Sequence, residues 1–430
     1  MNHKSIFNRS LILFFIIIFA VPVFWVVRGK VEPQKSLMEY RTLSVFPSLS
    51  FSDFKTASKR VLQLKFDEAG DLFFNQFKDL SFQKQFQRAT SEQFPFRSVG
   101  IRLSKNFDRL VIRTAYIFQG DPAIPADTRS GVYETRETAA LFPEPESFGS
   151  GQKNVIDKKI ANYDTSIELH PNVNFYAFCI EVIEDSAYNP LNPYFYQADA
   201  GQGFQYFLEN KPDELNLESL SLTSFEDQLK YFYRTDHHWN VHGMLLGYEK
   251  IYNMLAENYP DISPMLAHEN IYTFPDIEFH GRWARSVFYQ IEPGDVFEVV
   301  LLDMPPYKIY DRDGNEIDYN QKDEYLTGNY SREPFADHYI EYNGADTGFL
   351  EYVFDNEAER NLLIIGDSFT NAIEPLLASH YHHTYAVDIR HLPDYYFSLS
   401  DFLSEYDVDD VLVLGGPSVV MYQWRWTINP

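Results

Sequence analysis

Cysteine is almost missing from this chain. Cys179 is the one such residue among 430, so no disulfide can form within the chain, and stability must come from packing. It lies in the apolar run Phe175 to Ile180, where a thiol reads as buried and inert; the redox compartment is left open. Basic residues are the second scarcity. Against 62 Asp and Glu stand 36 Lys and Arg, a formal net charge of −26. Such a field repels phosphate backbones and argues against nucleic acid as a partner. Internal repeats and low-complexity tracts are absent too.

Apolar side chains are plentiful. A 45% hydrophobic content with 37 Phe and 30 Tyr far exceeds what a disordered chain carries. The length suits one large α/β domain with insertions, or two ordinary domains. One run, Leu11 to Val27, is apolar throughout and flanked by Lys4, Arg9, Arg28 and Lys30. It is too long for a signal-peptide core, at the short end of a bilayer span, and no Ala-x-Ala site follows. We expect a single-pass signal anchor over residues 1–30, with the rest of the chain extracytoplasmic at the cell membrane.

Residues 31–129 read as a helical juxtamembrane region. Phe73, Phe77 and Leu80, then Leu103, Phe107 and Leu110, recur at helical intervals. Residues 130–430 read as an α/β domain with a β-rich insertion at about 270–354. Strands are expected at Val173 to Ile180, Leu362 to Ile365, Tyr385 to Ile389 and Val411 to Leu414. Helices are expected at Val241 to Leu255, Phe369 to Leu377 and Phe397 to Tyr406. Alternating strand and helix predicts a parallel sheet covered on both faces. Within the insertion, Asp313-Gly314 between short apolar runs predicts a hairpin.

Two motifs carry chemistry. In Leu362-Leu363-Ile364-Ile365-Gly366-Asp367-Ser368-Phe369 a strand runs into Gly-Asp-Ser and a helix start. That turn presents a hydroxyl at the edge of a sheet, beside unpaired N–H groups able to hold an oxyanion. A simple helix cap is the plainer reading. In Thr235-Asp236-His237-His238-Trp239-Asn240 an Asp-x-His pair precedes a helix. A serine nucleophile needs a general base, and the base needs a partner that fixes its tautomer, so histidine and aspartate fit those two jobs. A capping and packing cluster is the alternative. A metal reading of Asp236, His238 and His242 lacks the glutamate of His-Glu-x-x-His; no metal and no cofactor is expected. The three histidines of Ser379 to His383 read as an exposed turn, and Tyr422 to Trp426 as an edge strand or a sugar-stacking platform.

Together, Asp-His-His-Trp before a helix and Gly-Asp-Ser-Phe on a later strand resemble the DHHW protein family and the related alginate O-acetyltransferase group. Both are similar to SGNH hydrolases, with the serine motif moved behind the histidine motif. The resemblance implies an SGNH-hydrolase-like three-layer α/β sandwich. It implies Ser368 as nucleophile, His238 as general base and Asp236 as its orienter, with His237 and Trp239 in supporting positions. Arg390 and Gly366 are the candidates for oxyanion or substrate contact, although Arg390 reads equally as a salt-bridge partner of Asp388 or Asp394. The implied function is acetyl transfer to, or ester cleavage on, a cell-envelope polysaccharide, with a multispanning membrane acyltransferase as the donor-side partner. A non-catalytic, membrane-anchored glycan-binding or assembly protein is the other reading.

Overall fold

The computed structural model describes residues 35–36, 41–44, 81–92, 97–117, 123–127, 129–135, 140–318, 321–344, 346–393, 396–422 and 427–429. The apolar run 11–27, Phe73, Phe77, Leu80, Trp424 and Trp426 lie outside them. Among the described residues no helix is long and apolar enough to cross a membrane. The chain divides into two compact units, Met1–Ser104 and Lys105–Pro430. In the first, the Ser44 amide donates to Glu92 at the end of helix Ser81–Glu92. Leu103, Phe107 and Leu110 do fall on a helix, Arg97–Ile117, where all three are more than 60% exposed. On the second unit's part of that helix, Lys105 pairs with Asp127 and Arg113 with Glu134.

The second unit is built on an eight-stranded sheet. Its elements are α1 (Ser150–Leu169), β1 (Asn174–Ile180), α2 (Gln202–Asn210), β2 (Asn216–Leu220) and α3 (Val241–Asn258). There follow β3 (Ile271–Phe279), α4 (Arg282–Val287), β4 (Asp295–Val300), β5 (Tyr307–Tyr310), β6 (Glu316–Ile317), α5 (His338–Asn343) and β7 (Phe349–Phe354). The last are β8 (Asn361–Gly366), α6 (Glu374–Ala378), β9 (His383–Val387), α7 (Leu399–Glu405) and β10 (Asp410–Gly415). In the sheet the strands run in the order β6-β5-β7-β9-β8-β10-β1-β2. Phe175, Ala177, Cys179, Leu363, Ile365, Val411 and Val413 share one core with Ile156 and Tyr163 of α1, Phe207 of α2 and Phe402 of α7. On the opposite face, Gly247 of α3 approaches Phe178 of β1, and Ala378 of α6 packs with Leu350, Tyr352 and Ala386. Helices therefore cover both faces, which is why β1, β8 and β10 read as nearly unbroken apolar runs.

The wholly parallel sheet expected from the sequence is corrected to a mixed one. From β9 to β2 neighbouring strands are parallel, while β7, β5 and β6 add antiparallel strands beyond β9. Burial in β7 alternates along the strand, as antiparallel pairing with one covered face permits. The expected hairpin at Asp313-Gly314 joins β5 to β6, with Gly314 at φ +77°. The end of the supposed insertion thus extends the main sheet, and β3 and β4 pair separately.

Smaller corrections have local causes. The helix expected over Phe369 to Leu377 is a short turn at Thr370–Ala372 followed by α6, broken where Pro375 lacks an amide. Strand β9 ends at Val387, and Arg390 sits on a one-turn helix whose cap Asp388 accepts from the Arg390 amide. Residues Tyr396–Ser398 form a strand, and α7 starts only after the Ser398 cap. His380 is buried between Tyr248 and Ser263, not on an exposed turn.

Helix α3 is entered directly from the histidine motif. Asn240 caps it, accepting from the amides of His242 and Gly243. Gly243 and Gly247 leave room for Tyr231 and the Trp239 ring, which an added Cβ would meet at 2.2 and 2.7 Å. Replacing Asn240 by Ala should cost about 1 kcal/mol, and Gly243→Ala more, because its Cβ would strike backbone. Urea denaturation of the three proteins checks that order.

Candidate active site

The segment before α3 is held from several sides. Tyr233 donates its amide to the carbonyl of His238, and Asn240 to that of Tyr231. Asp295, at the start of β4, accepts from the amides of Arg234 and Thr235 and from the Thr235 hydroxyl. The Thr235 carbonyl in turn accepts from Trp283 and Ala284 of α4. These bonds fold the segment so that Asp236 turns back onto the ring two residues later.

His238 Nδ1 lies 2.7 Å from Asp236 Oδ1, and His238 Nε2 lies 2.8 Å from Ser368 Oγ. Asp236, His238 and Ser368 are 1%, 4% and 6% exposed. A carboxylate facing Nδ1 fixes the proton there, which leaves the Nε2 lone pair directed at the hydroxyl. The Asp236 carboxylate also accepts from the amides of His238 and, through Oδ2, Arg282. Burial pushes the Asp236 carboxyl up, but His237 and His238 outweigh it and hold it well below the usual carboxylate range. Burial, helped by the charge of His237, keeps the His238 imidazole below its ordinary value despite Asp236. That direction favours the neutral imidazole, the form that can take a proton.

The His237 ring lies 3.8 Å from that of His238, tilted from it by 38°. Its Nδ1 is 3.2 Å from Asp236 Oδ1 without the angle of a hydrogen bond. Trp239 is buried and donates from Nε1 to the hydroxyl of Tyr339, whose ring stacks on His238.

Strand β8 delivers the serine. Beyond Gly366 the chain turns, and Asp367 accepts from the amides of Phe369 and, at 3.3 Å, Gly416. The Ser368 amide has no acceptor among the described residues, so its N–H is available to a bound group. Gly366 is required for space: a Cβ there would lie 2.1 Å from the Thr370 methyl and 2.7 Å from the Leu414 carbonyl. Arg390 is engaged by Asp388, which accepts from its Nε at 2.9 Å, and Asp346 lies 3.6 Å away. The salt-bridge alternative weighed for Arg390 is thus present. Burial of Asp367 raises its carboxyl above the ordinary value, an effect that the Arg390 charge opposes.

A His238–His242 metal pair does not form, since His242 Nε2 points to Glu298 at 3.3 Å. Among the described residues Asp236, His237 and His238 do bring ligand atoms within 4.8 Å. In that group Asp236 Oδ1 and both His238 nitrogens are committed to the chain of bonds that ends on Ser368. The motifs named Asp236, His237, His238, Trp239, Gly366, Asp367 and Ser368 among the residues assembled here; Tyr339, Asp295, Arg282 and Gly281, whose missing side chain leaves room for Asp236, they did not. No local pattern marks those four, as their roles follow from packing across the chain.

No family model matches the chain, and no curated protein matches it. Solved structures do. Bacillus cereus PatB1 with a sulfonyl adduct is similar at 17% identity and a TM-score of 0.52, over 68% of this chain and 98% of that one. A DHHW family protein from Eubacterium siraeum is similar at 17% identity and a TM-score of 0.47, over 71% and 94%. The O-acetyltransferase domain of Pseudomonas putida AlgJ is similar at 12% identity and a TM-score of 0.37, over 69% and 94%. Both groups named from the paired motifs are therefore among the structural neighbours, and what is shared with PatB1 is the fold.

Two variants test the geometry through the reaction of Ser368 with a sulfonyl fluoride, followed by mass spectrometry. In the unaltered chain the rate should rise along a limb below pH 6.5, the ordinary imidazole value, and then stay flat. Asp236→Asn removes a charge that raises His238, so the limb should move lower and the plateau should fall about 10²- to 10⁴-fold. Gly281→Ala would set a Cβ 2.2 Å from Asp236; we expect a loss of about tenfold or more.

Proposed function

We propose that this chain is an acyl, in the first place acetyl, transferase or esterase that works through Ser368, His238 and Asp236 on a cell-envelope polysaccharide. One observation carries the reading: a buried serine hydroxyl bonded to an imidazole whose far nitrogen faces a buried carboxylate. The fold shared with PatB1 and the paired motifs support it. We further propose that residues 11–27 anchor the chain in the cell membrane, with the catalytic domain outside the cytoplasm, and that a multispanning acyltransferase supplies the donor.

In this mechanism His238 Nε2 takes the Ser368 proton as Oγ attacks the acyl carbonyl. The Ser368 amide holds the resulting oxyanion, and Arg390 is the side chain proposed to assist, once drawn from Asp388. Gly366 keeps the turn tight enough to aim that amide. Collapse of the adduct breaks the bond to the donor oxygen, which leaves with the proton from Nε2. His238 then removes a proton from a sugar hydroxyl, or from water, whose oxygen attacks the acyl-enzyme. The second collapse returns the proton to Ser368, so both outcomes use one set of groups.

Incubation with a small acetyl ester tests the proposal. The expected result is a burst of released alcohol, one acetyl group on the Ser368 peptide, and a loss of about 10³-fold or more in Ser368→Ala. Added oligosaccharide should accelerate deacylation in a transferase and leave it unchanged in an esterase. An intact, folded chain that never acquires acetyl on Ser368, yet binds glycan equally with and without that hydroxyl, would establish the glycan-binding reading instead.

A further inference from the structure

We propose that Tyr339, on α5, is a positioning residue for both ends of the Ser368–His238 bond; the proposal rests on the reading of Ser368, His238 and Asp236 as a catalytic triad. Its ring lies 3.9 Å from the His238 ring with the planes 10° apart, so the imidazole is covered on that side. Its hydroxyl accepts from Trp239 Nε1 at 3.2 Å and donates to the Ser368 carbonyl at 3.2 Å, with the Phe369 carbonyl farther off at 3.5 Å. One side chain thus touches the base through its face and the nucleophile's backbone through its edge.

The surroundings explain why both contacts are needed. Tyr339 is 2% exposed, yet with Trp239, Met244, Leu376 and Tyr342 it lines a cavity of about 470 Å³. A ring beside such a space is not wedged by packing alone, so the two hydrogen bonds of its hydroxyl hold it flat on the imidazole. Held there, the π-face favours the imidazolium formed as His238 accepts the serine proton. The other charged groups that act on His238 are Asp236 and His237 on its own segment and Asp337, the residue that precedes α5.

The test uses the full chain with ¹³C-labelled histidine, the His238 ring signal being assigned by its loss in His238→Gln. Tyr339→Leu removes the face and should lower the His238 titration midpoint by about one pH unit. Tyr339→Phe keeps the face and should move the midpoint by less than half as much. It should still slow sulfonylation of Ser368 about tenfold, because the carbonyl loses its donor; Trp239→Phe should give a smaller loss of the same kind. An unchanged midpoint in Tyr339→Leu would overturn the proposal, as would unaltered rates and pH profile in Tyr339→Phe. Should Tyr339→Leu not fold, the two Phe variants decide the matter. A parent chain whose Ser368 is never sulfonylated would sink the enzymatic reading instead, while the His238 midpoint still judges the stack.

Discussion

A carboxylate kept ionised away from water is the constraint on which the site depends. Taking Asp236 out of solvent costs several kcal/mol unless donors replace its hydration. Here they come from the amides of His238 and Arg282 and from the His238 ring, with His237 close by. Because one donor lies at the start of α4, the excursion through β3, α4 and β4 must fold back onto the segment before α3. Asp295 secures that return, tying β4 to Arg234 and Thr235. A region that looks peripheral in the topology therefore supplies one of the donors that Asp236 needs.

Ser368 is held on a different principle. Strand β8 lies between β9 and β10 in the parallel part of the sheet, with Leu362 to Ile365 wholly buried, so Ser368 leaves the most constrained strand end available. Asp367 steadies the turn through amides on two chain segments, Phe369 and Gly416. Gly415 allows this approach, having φ +156° and no side chain to strike the Asp367 carboxyl. Most of the contacts that hold Ser368 are thus distinct from those that hold His238.

Much of this was legible in the sequence for a physical reason. Strands buried on both faces write themselves as Leu362 to Ile365 or Val411 to Leu414, and a helix with a polar cap and an apolar side writes itself as Asn240 to Leu255. Asp236, His238 and Ser368 stand out because chemistry restricts which residue types can do their jobs. What stayed hidden depends on partners distant in the chain. Nothing in Phe349 to Phe354 says that it will pair with His383 to Val387 and turn the sheet mixed, because antiparallel pairing is a choice of neighbour. Tyr339 sits in an aromatic-rich stretch where one more tyrosine carries no signal. His380 looked exposed because its partners, Tyr248 and Ser263, lie more than a hundred residues upstream.

The bond between His238 and Ser368 spans 130 residues of chain. Contacts of that separation close late, since the loop they complete must first be organised by everything between. Until β8 has docked beside β9 and β10, the serine is an ordinary alcohol and the histidine an ordinary base, each without the other. Synthesis from the N-terminus makes the base and its carboxylate first and the hydroxyl last. Any reactivity proposed for Ser368 would therefore be a property of the finished sheet, and a nascent or partly unfolded chain would lack it.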